Sequence, residues 1–335
     1  MPGVLCIGTL VIDIINDPID RILDPGEGVP TRIGIHPGGC SYNVAVDIVK
    51  LAPEEIRQEI TVGCVGAVGD DILAEALRSG AETHGVIPMF QRFPGVGTSK
   101  NVILNIRGEE RRHHYDAGAN PLLEPEFVTR AIESFEPDLV YLGEISSLGR
   151  VGGEVAGIVA AAKESGCLIA LDAVVAGTSE WGTLGRACRY ADVLHCNDVE
   201  AMAFTDTSSV ADALAGLAGR GVRFPVVSSG GGLICWIHGS RRYAAPAYTV
   251  AAVDATGAGD ALVSGLIVSA LSHAGDDTWP KDADEALEAI LFAEAAGAGA
   301  VTRIGCTAGV GRDDVARLLS EQGDRIRNRV IGAAQ

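Results

Sequence analysis

The run Asp254-Ala255-Thr256-Gly257-Ala258-Gly259-Asp260 passes directly into the apolar stretch Ala261-Leu262-Val263-Ser264-Gly265-Leu266, so a glycine-rich turn opens a helix. Glycines bring the backbone close to a ligand, and the unpaired N–H groups of a helix start, with its positive dipole end, suit phosphate oxygens. A carboxylate in that first turn caps the helix well but repels a bound phosphate unless it has a chemical role. Asp260 gains such a role as a general base, taking a proton from a hydroxyl that attacks a phosphoryl group. For the heptapeptide alone, an ordinary helix cap is the competing reading.

A second run, His36-Pro37-Gly38-Gly39-Cys40-Ser41-Tyr42-Asn43-Val44-Ala45, leads a Gly-Gly turn into an amphipathic helix. Gly38 and Gly39 admit a ligand near the backbone, and the Asn43 amide both donates and accepts. Asp13 follows the first apolar run and stands where a carboxylate can accept hydrogen bonds from sugar hydroxyls, or serve as a turn residue. Other signatures are missing: the sequence has no G-x-x-x-x-G-K-[ST], no H-E-x-x-H and no G-x-S-x-G. His113 and His114 are adjacent on a strand and point to opposite faces, which argues against joint metal binding and for a solvated hairpin.

The elements that must carry these residues alternate. Short apolar runs at Val4-Gly8, Ile60-Val65, Leu139-Leu142, Leu168-Asp172, Val193-Cys196 and Pro225-Ser228 read as buried strands. Between them, helical patterns fall at Val44-Leu51, Ile72-Ser79, Gly153-Glu164, Val210-Ala218, Ala258-Leu271 and Ala283-Gly299. This is the alternation of an α/β fold, a central, mostly parallel sheet flanked by helices, whose strand C-terminal ends bind ligands. Two stretches break it, Asp13 to Pro37 and Pro88 to Tyr115, the latter with β-like runs at Val102-Ile106 and Arg111-Tyr115. Both read as hairpins outside the main sheet, a small β lid over the site.

Composition narrows the partners. With 335 residues, 47% apolar and 21% charged, the chain is long enough for one large core, and a net charge of −18 repels nucleic acid and anionic membrane surfaces. No apolar stretch approaches the ~20 residues of a membrane span, and no export signal marks the N-terminus. Eight cysteines without a C-x-x-C pattern read as reduced thiols, hence a cytoplasmic protein.

Taken together, the two glycine turns resemble the paired signatures of the PfkB, or ribokinase-like, carbohydrate kinase family. Further pieces agree in order: Val65-Gly66-Ala67-Val68-Gly69-Asp70-Asp71, His84-Gly85-Val86, Gly118-Ala119-Asn120, Asn197-Asp198-Val199-Glu200 and the stretch from Ala296 to Gly305. The resemblance covers nearly the whole chain. It implies a single ribokinase-like domain over residues 1–335, with lid segments at about 13–37 and 88–118, and dimerisation of two copies through the lid.

The activity so implied is transfer of the γ-phosphate of ATP to a hydroxyl, above all a hydroxymethyl group, of a sugar or sugar-like molecule. Asp260 falls on the family's catalytic base, and Thr256, Gly257, Ala258 and Gly259 on its anion hole. Asp13, Gly38, Gly39 and Asn43 fall on positions holding substrate hydroxyls, and Glu144 near another. Asn197 and Glu200 match an N-x-x-E that arranges Mg2+ and phosphates largely through water, although by themselves the two residues read better as a helix-capping pair. K+ beside Asp254 is also implied. Ser228, Gly230, Gly232 and Ala296 fall on the nucleotide side, but the loop Ser228-Ser229-Gly230-Gly231-Gly232-Leu233 departs from the family's T-x-G-x-x-G, its second glycine coming one place early.

The acceptor is left open among free sugar, nucleoside and sugar phosphate, and a catalytically silent sugar or nucleotide sensor is the reading outside enzymes. Lys100, Arg107, Arg111 and Arg112 would clamp a sugar phosphate if they face the cleft; if they solvate a hairpin, a neutral acceptor is favoured.

Overall fold

The computed structural model describes residues 2–109, 112–173, 181–272 and 279–334. Its strands are β1 (Gly3–Ile7), β2 (Val11–Asn16), β3 (Ile33–Gly38), β4 (Thr61–Gly69), β5 (Ile87–Phe93), β6 (Lys100–Leu104), β7 (Arg112–Asp116), β8 (Leu139–Gly143), β9 (Leu168–Asp172), β10 (Val193–Asn197), β11 (Phe224–Ser228), β12 (Leu233–His238), β13 (Arg241–Pro246) and β14 (Ile331–Ala334). Ten form one sheet in the order β14-β13-β12-β11-β10-β9-β8-β1-β4-β5. From β5 to β11 every pairing is parallel, while β12, β13 and β14 extend the edge antiparallel.

Successive residues of a strand face opposite sides, and β1 shows what that does to the core. Val4 and Cys6 join an apolar cluster with Leu262, Leu266 and Ile290, whereas Leu5 and Ile7 join one with Val128, Val155 and Val159. Each wholly buried Val, Leu or Ile contributes ~1.5–3 kcal/mol, so both sheet faces are fixed by burial. The helices Ala258–Leu271 and Ala283–Ala300 lie side by side on the first face, where Ala293, Ala296 and Ala300 are fully buried.

The remaining strands form a small sheet, β3-β2-β6-β7, antiparallel except for the parallel pair β2 and β6. Here the sequence expectation needs a correction. The second lid segment, expected over about 88–118, divides: β5 pairs parallel with β4 and becomes the edge of the large sheet, and only β6 and β7 belong to the small one. An apolar run beside an edge strand and an apolar run in a hairpin have the same local pattern, so only pairing separates them. Among the described residues no helix is long and apolar enough to cross a membrane.

Candidate active site

The turn before the Ala258–Leu271 helix is locked by contacts that only its sequence allows. Gly257 has φ 81°, and a Cβ there would lie 2.4 Å from the carbonyl oxygen of Cys306. Asp254 Oδ1 accepts hydrogen bonds from Thr256 N (3.0 Å) and Thr256 Oγ1 (2.6 Å), and Oδ2 accepts from Gly305 N (3.2 Å). These bonds pin the turn to the 302–308 segment and set Asp260 in the first helical turn, where Asn43 Nδ2 donates to its Oδ2 at 2.8 Å. Burial, then the neighbouring Asp172 carboxylate, pushes the Asp260 carboxyl from its usual 3.8 to about 7, against the opposing pull of Asn43 and His195.

On one side of this turn the small sheet hangs over a polar pocket. Asp13 stands opposite His36 and Asn101 in the pairing register, and it is 4% exposed. Its Oδ1 accepts from Asn101 Nδ2 and its Oδ2 from the Cys306 thiol, both at 3.2 Å, while burial raises its pKa. Gly39 adopts φ 92° beneath the Thr9 carbonyl, and Gly38 leaves the room that Asp13 occupies, since a Cβ would stand 2.6 Å from Asp13 Oδ2. Asn43 Oδ1 and Asn101 Oδ1 are buried with no protein hydrogen-bond partner. Glu144, in a left-handed conformation, accepts from Thr9 Oγ1 and from Ser147 Oγ (3.0 Å). A cavity of about 560 Å3 runs under the sheet past Ile15, Ile103, Asn105 and His113 to the segment Ala252–Ala255.

The reading of this hairpin as solvated holds, since β7 is exposed along its whole length, while His113 Nδ1 lies 3.3 Å from Asn101 Nδ2. The cations of the same hairpin turn elsewhere. Lys100 pairs with Asp116 (2.5 Å), Arg107 with Asp20 (3.0 Å) and Arg112 with Glu109 (2.7 Å); Arg111 lies outside the described residues.

On the other side of the turn lies a second cavity, of about 380 Å3, lined by Ser228, Gly230, Gly231, Glu294, Gly297 and Ala298 among others. Ala252 and Ala255 line both cavities, so the two meet at the turn that carries Asp260. Ser228 ends β11, and Ser229–Gly232 forms the tight connection to β12, with Gly232 N donating to Ser229 O. Gly232 therefore closes the hairpin and does not line the cavity, and Ala296 is wholly buried in the core; Glu294, Gly297, Ala298 and Val301 stand at the wall where Ala296 was expected. Asn197 and Glu200 form a reciprocal capping box, Asn197 Oδ1 accepting from Glu200 N and Glu200 Oε2 from Asn197 N, each at 2.9 Å. That is the capping alternative realised in the structure. No cluster of three or more His, Cys, Asp or Glu side chains is arranged to hold a metal ion among the described residues.

Sequence reasoning missed Asn101, Cys306, Asp172, His195 and Glu294. His195 is buried between Asp172 Oδ1 (3.2 Å from Nδ1) and Ser228 Oγ (3.0 Å from Nε2). Burial alone would lower its pKa, but Asp172, Glu200 and Glu294 raise it on balance. Asp172 could have been found as a polar residue ending an apolar strand run, where α/β sheets place ligands, and His195 as a polar residue inside one; Asn101, Cys306 and Glu294 have no local signal.

The chain belongs to the pfkB family of carbohydrate kinases, whose model matches residues 1–311. It is thus a phosphotransferase acting on a sugar-type hydroxyl. It is 31% identical over 286 residues to an aminoimidazole riboside kinase of Salmonella typhimurium, covering 80% of this chain and 83% of that one. A fructokinase of Klebsiella pneumoniae is 26% identical over 91% of this chain and 98% of its own length. The solved ribokinase of Giardia lamblia superposes with a TM-score of 0.80 at 19% identity, covering 96% of this chain and 99% of that chain.

Proposed function

We propose that the chain phosphorylates a hydroxymethyl group of a neutral sugar, using ATP bound with Mg2+. The observation carrying this reading is the pair of cavities that share Ala252 and Ala255 beside the Asp260 turn, one bordered by Asn105, Glu109, His113 and Asp254 under the small sheet and one lined mainly by small residues. Asp13, Asn43 and Asn101 bind acceptor hydroxyls, and the orphaned Asn43 Oδ1 and Asn101 Oδ1 gain donors from them. Gly38 and Gly39 supply the close floor. Glu144, engaged by Thr9 and Ser147, acts through those residues rather than on the sugar.

Asp260 takes the proton of the attacking hydroxyl, and the N–H groups from Thr256 to Gly259 stabilise charge on the transferring phosphoryl group. Asn197 and Glu200 fit a water-mediated Mg2+ site, because the capping contacts use Asn197 Oδ1 and Glu200 Oε2 and leave Glu200 Oε1 to hold one of the several waters that Mg2+ keeps. Bound there, Mg2+ would neutralise nucleotide phosphate charge. Asp254, bonded to Thr256 and Gly305, is the anchor for a K+ held mainly by carbonyls.

A neutral acceptor is supported by the pairing of Lys100, Arg107 and Arg112 with lid carboxylates. A nucleoside is the second reading, favoured by the apolar wall of Ile15 and Ile103 under the small sheet, which gives a base somewhere to lie. The deciding experiment is an ADP-release screen with Mg-ATP and K+ against free sugars, nucleosides and sugar phosphates. Release with neutral acceptors is expected; release with sugar phosphates alone would overturn the reading.

The whole chain acts as one kinase unit, with the small sheet as its lid. The outer face of that sheet exposes Ile33 (61%), Ile35 (62%) and Val102 (37%), a patch suited to the same face of a second copy. Light scattering should find a dimer that Ile35→Lys converts to monomer; a wild-type monomer would remove the interface. Eight free cysteines fit a reducing, cytoplasmic setting.

A further inference from the structure

The smaller cavity contains a carboxyl group that nothing in the transfer chemistry employs. Glu294 sits within the Ala283–Ala300 helix, 7% exposed, among neighbours Ala293, Ala295 and Ala296 that are wholly buried. Glu294 borders the cavity, and its carboxyl makes no hydrogen bond or ion pair with protein among the described residues. The rest of the wall is Gly, Ala, Val and Leu, apart from Ser228, Tyr248 and Thr249. Burial holds its pKa up at about 7, with His195 pulling the other way. An unpartnered buried carboxyl is costly to keep, and in an Ala-rich helix an alanine would fill the position without that cost.

We infer that Glu294 selects the base of the nucleotide, its carboxyl receiving an N–H of the 6-amino group of adenine. This rests on the reading of the cavity as the nucleotide site. Once ionised, above about pH 7, the carboxylate can only accept, so it takes that N–H, whereas the 6-keto oxygen of hypoxanthine would put acceptor against acceptor. Sites built to hydrogen-bond one group reject the analogue lacking it far more strongly than apolar walls reject a change of size. The small residues around Glu294 then supply shape, and the carboxyl supplies identity.

The test compares kcat/KM for ATP and inosine triphosphate, with one acceptor, in wild type, Glu294→Gln and Glu294→Ala. Wild type should favour ATP by about tenfold or more, and both variants should bring the ratio close to one, since loss of a hydrogen bond to a carboxyl group is about a tenfold effect. Glu294→Gln should gain with inosine triphosphate in particular, because its amide can donate to the keto oxygen. Thermal melting without nucleotide at pH 8 should show Glu294→Ala folded and more stable than wild type. An unchanged ratio in a folded Glu294→Ala, or a wild type with no preference for ATP, would overturn the assignment. Absence of any ATP binding by calorimetry would instead overturn the nucleotide reading beneath it.

Discussion

The two walls of the site are built on different principles. The acceptor wall is made of buried polar side chains from segments far apart in the chain: Asp13 from β2, Asn101 from β6, Cys306 beyond the last long helix, and Asn43 bonded to Asp260 across 217 residues. The donor wall is made of backbone turns and small residues, with Ser228, Tyr248, Thr249 and Glu294 as its few functional groups. Coupled charges on the first wall make each substitution expensive and shift pKa values together. Shape on the second makes most substitutions mild and leaves discrimination to single groups.

The sharpest way to break this contrast is at Asp260. Asp260→Asn retains the Asn43 neighbour but cannot accept a proton, so kcat should fall about 10²–10⁴-fold with acceptor affinity largely kept. In wild type, kcat/KM should rise with pH up to about 7 and level off above it, because only the ionised carboxyl acts as base. Stability runs the opposite way. A carboxyl raised from 3.8 to about 7 on folding contributes stability that is complete below the unfolded value and is lost as pH rises through the folded one. Unliganded wild type should therefore lose stability from about pH 4 to 7, and Asp260→Asn should flatten that decline; a pH-independent kcat/KM would remove Asp260 as the base.

Asp13 tests the same wall without touching the proton transfer. Its removal in Asp13→Ala deletes a charged acceptor for hydroxyls and strands Asn101 and the Cys306 thiol, so kcat/KM for the acceptor should drop about 10–100-fold, chiefly through KM. KM for ATP should stay within about threefold, since no donor-wall residue contacts Asp13 and separated sites behave additively. A parallel loss on the nucleotide side would show the two walls to be one coupled unit.

That contrast also explains how much the sequence disclosed. Asp254 to Asp260 and Gly38 to Asn43 were legible because turns that need glycine at positive φ, followed by a helix, leave a local pattern; Gly257 and Gly39 have φ 81° and 92°. Six buried strands of the parallel sheet were legible as apolar runs. Partnerships set by register were not. Asn101 faces Asp13 only because β6 pairs with β2, and β5 joins the large sheet only because it finds β4. Ala296 was placed at the nucleotide wall because an Ala/Gly helix shows no periodic face from which to tell lining from core, and the wall proved to pass through Glu294, Gly297 and Ala298.

The mildest change should be Ser228→Ala, and it probes whether the donor wall is as tolerant as its composition suggests. Ser228 Oγ lies 3.0 Å from His195 Nε2, whose other nitrogen is held by Asp172 at 3.2 Å. The histidine keeps its carboxylate, and deleting the hydroxyl removes one hydrogen-bonding group from the cavity wall; the bond it offers a nucleotide, about 0.5–1.5 kcal/mol, is roughly 2–10-fold in KM for ATP. The kcat should hold, and Ser228→Thr, which restores the hydroxyl, should recover the wild-type KM. A kcat loss approaching that of Asp260→Asn would mean that the chain from Asp172 through His195 to Ser228 positions the transferring phosphate. The donor wall would then depend on buried charge as closely as the acceptor wall does.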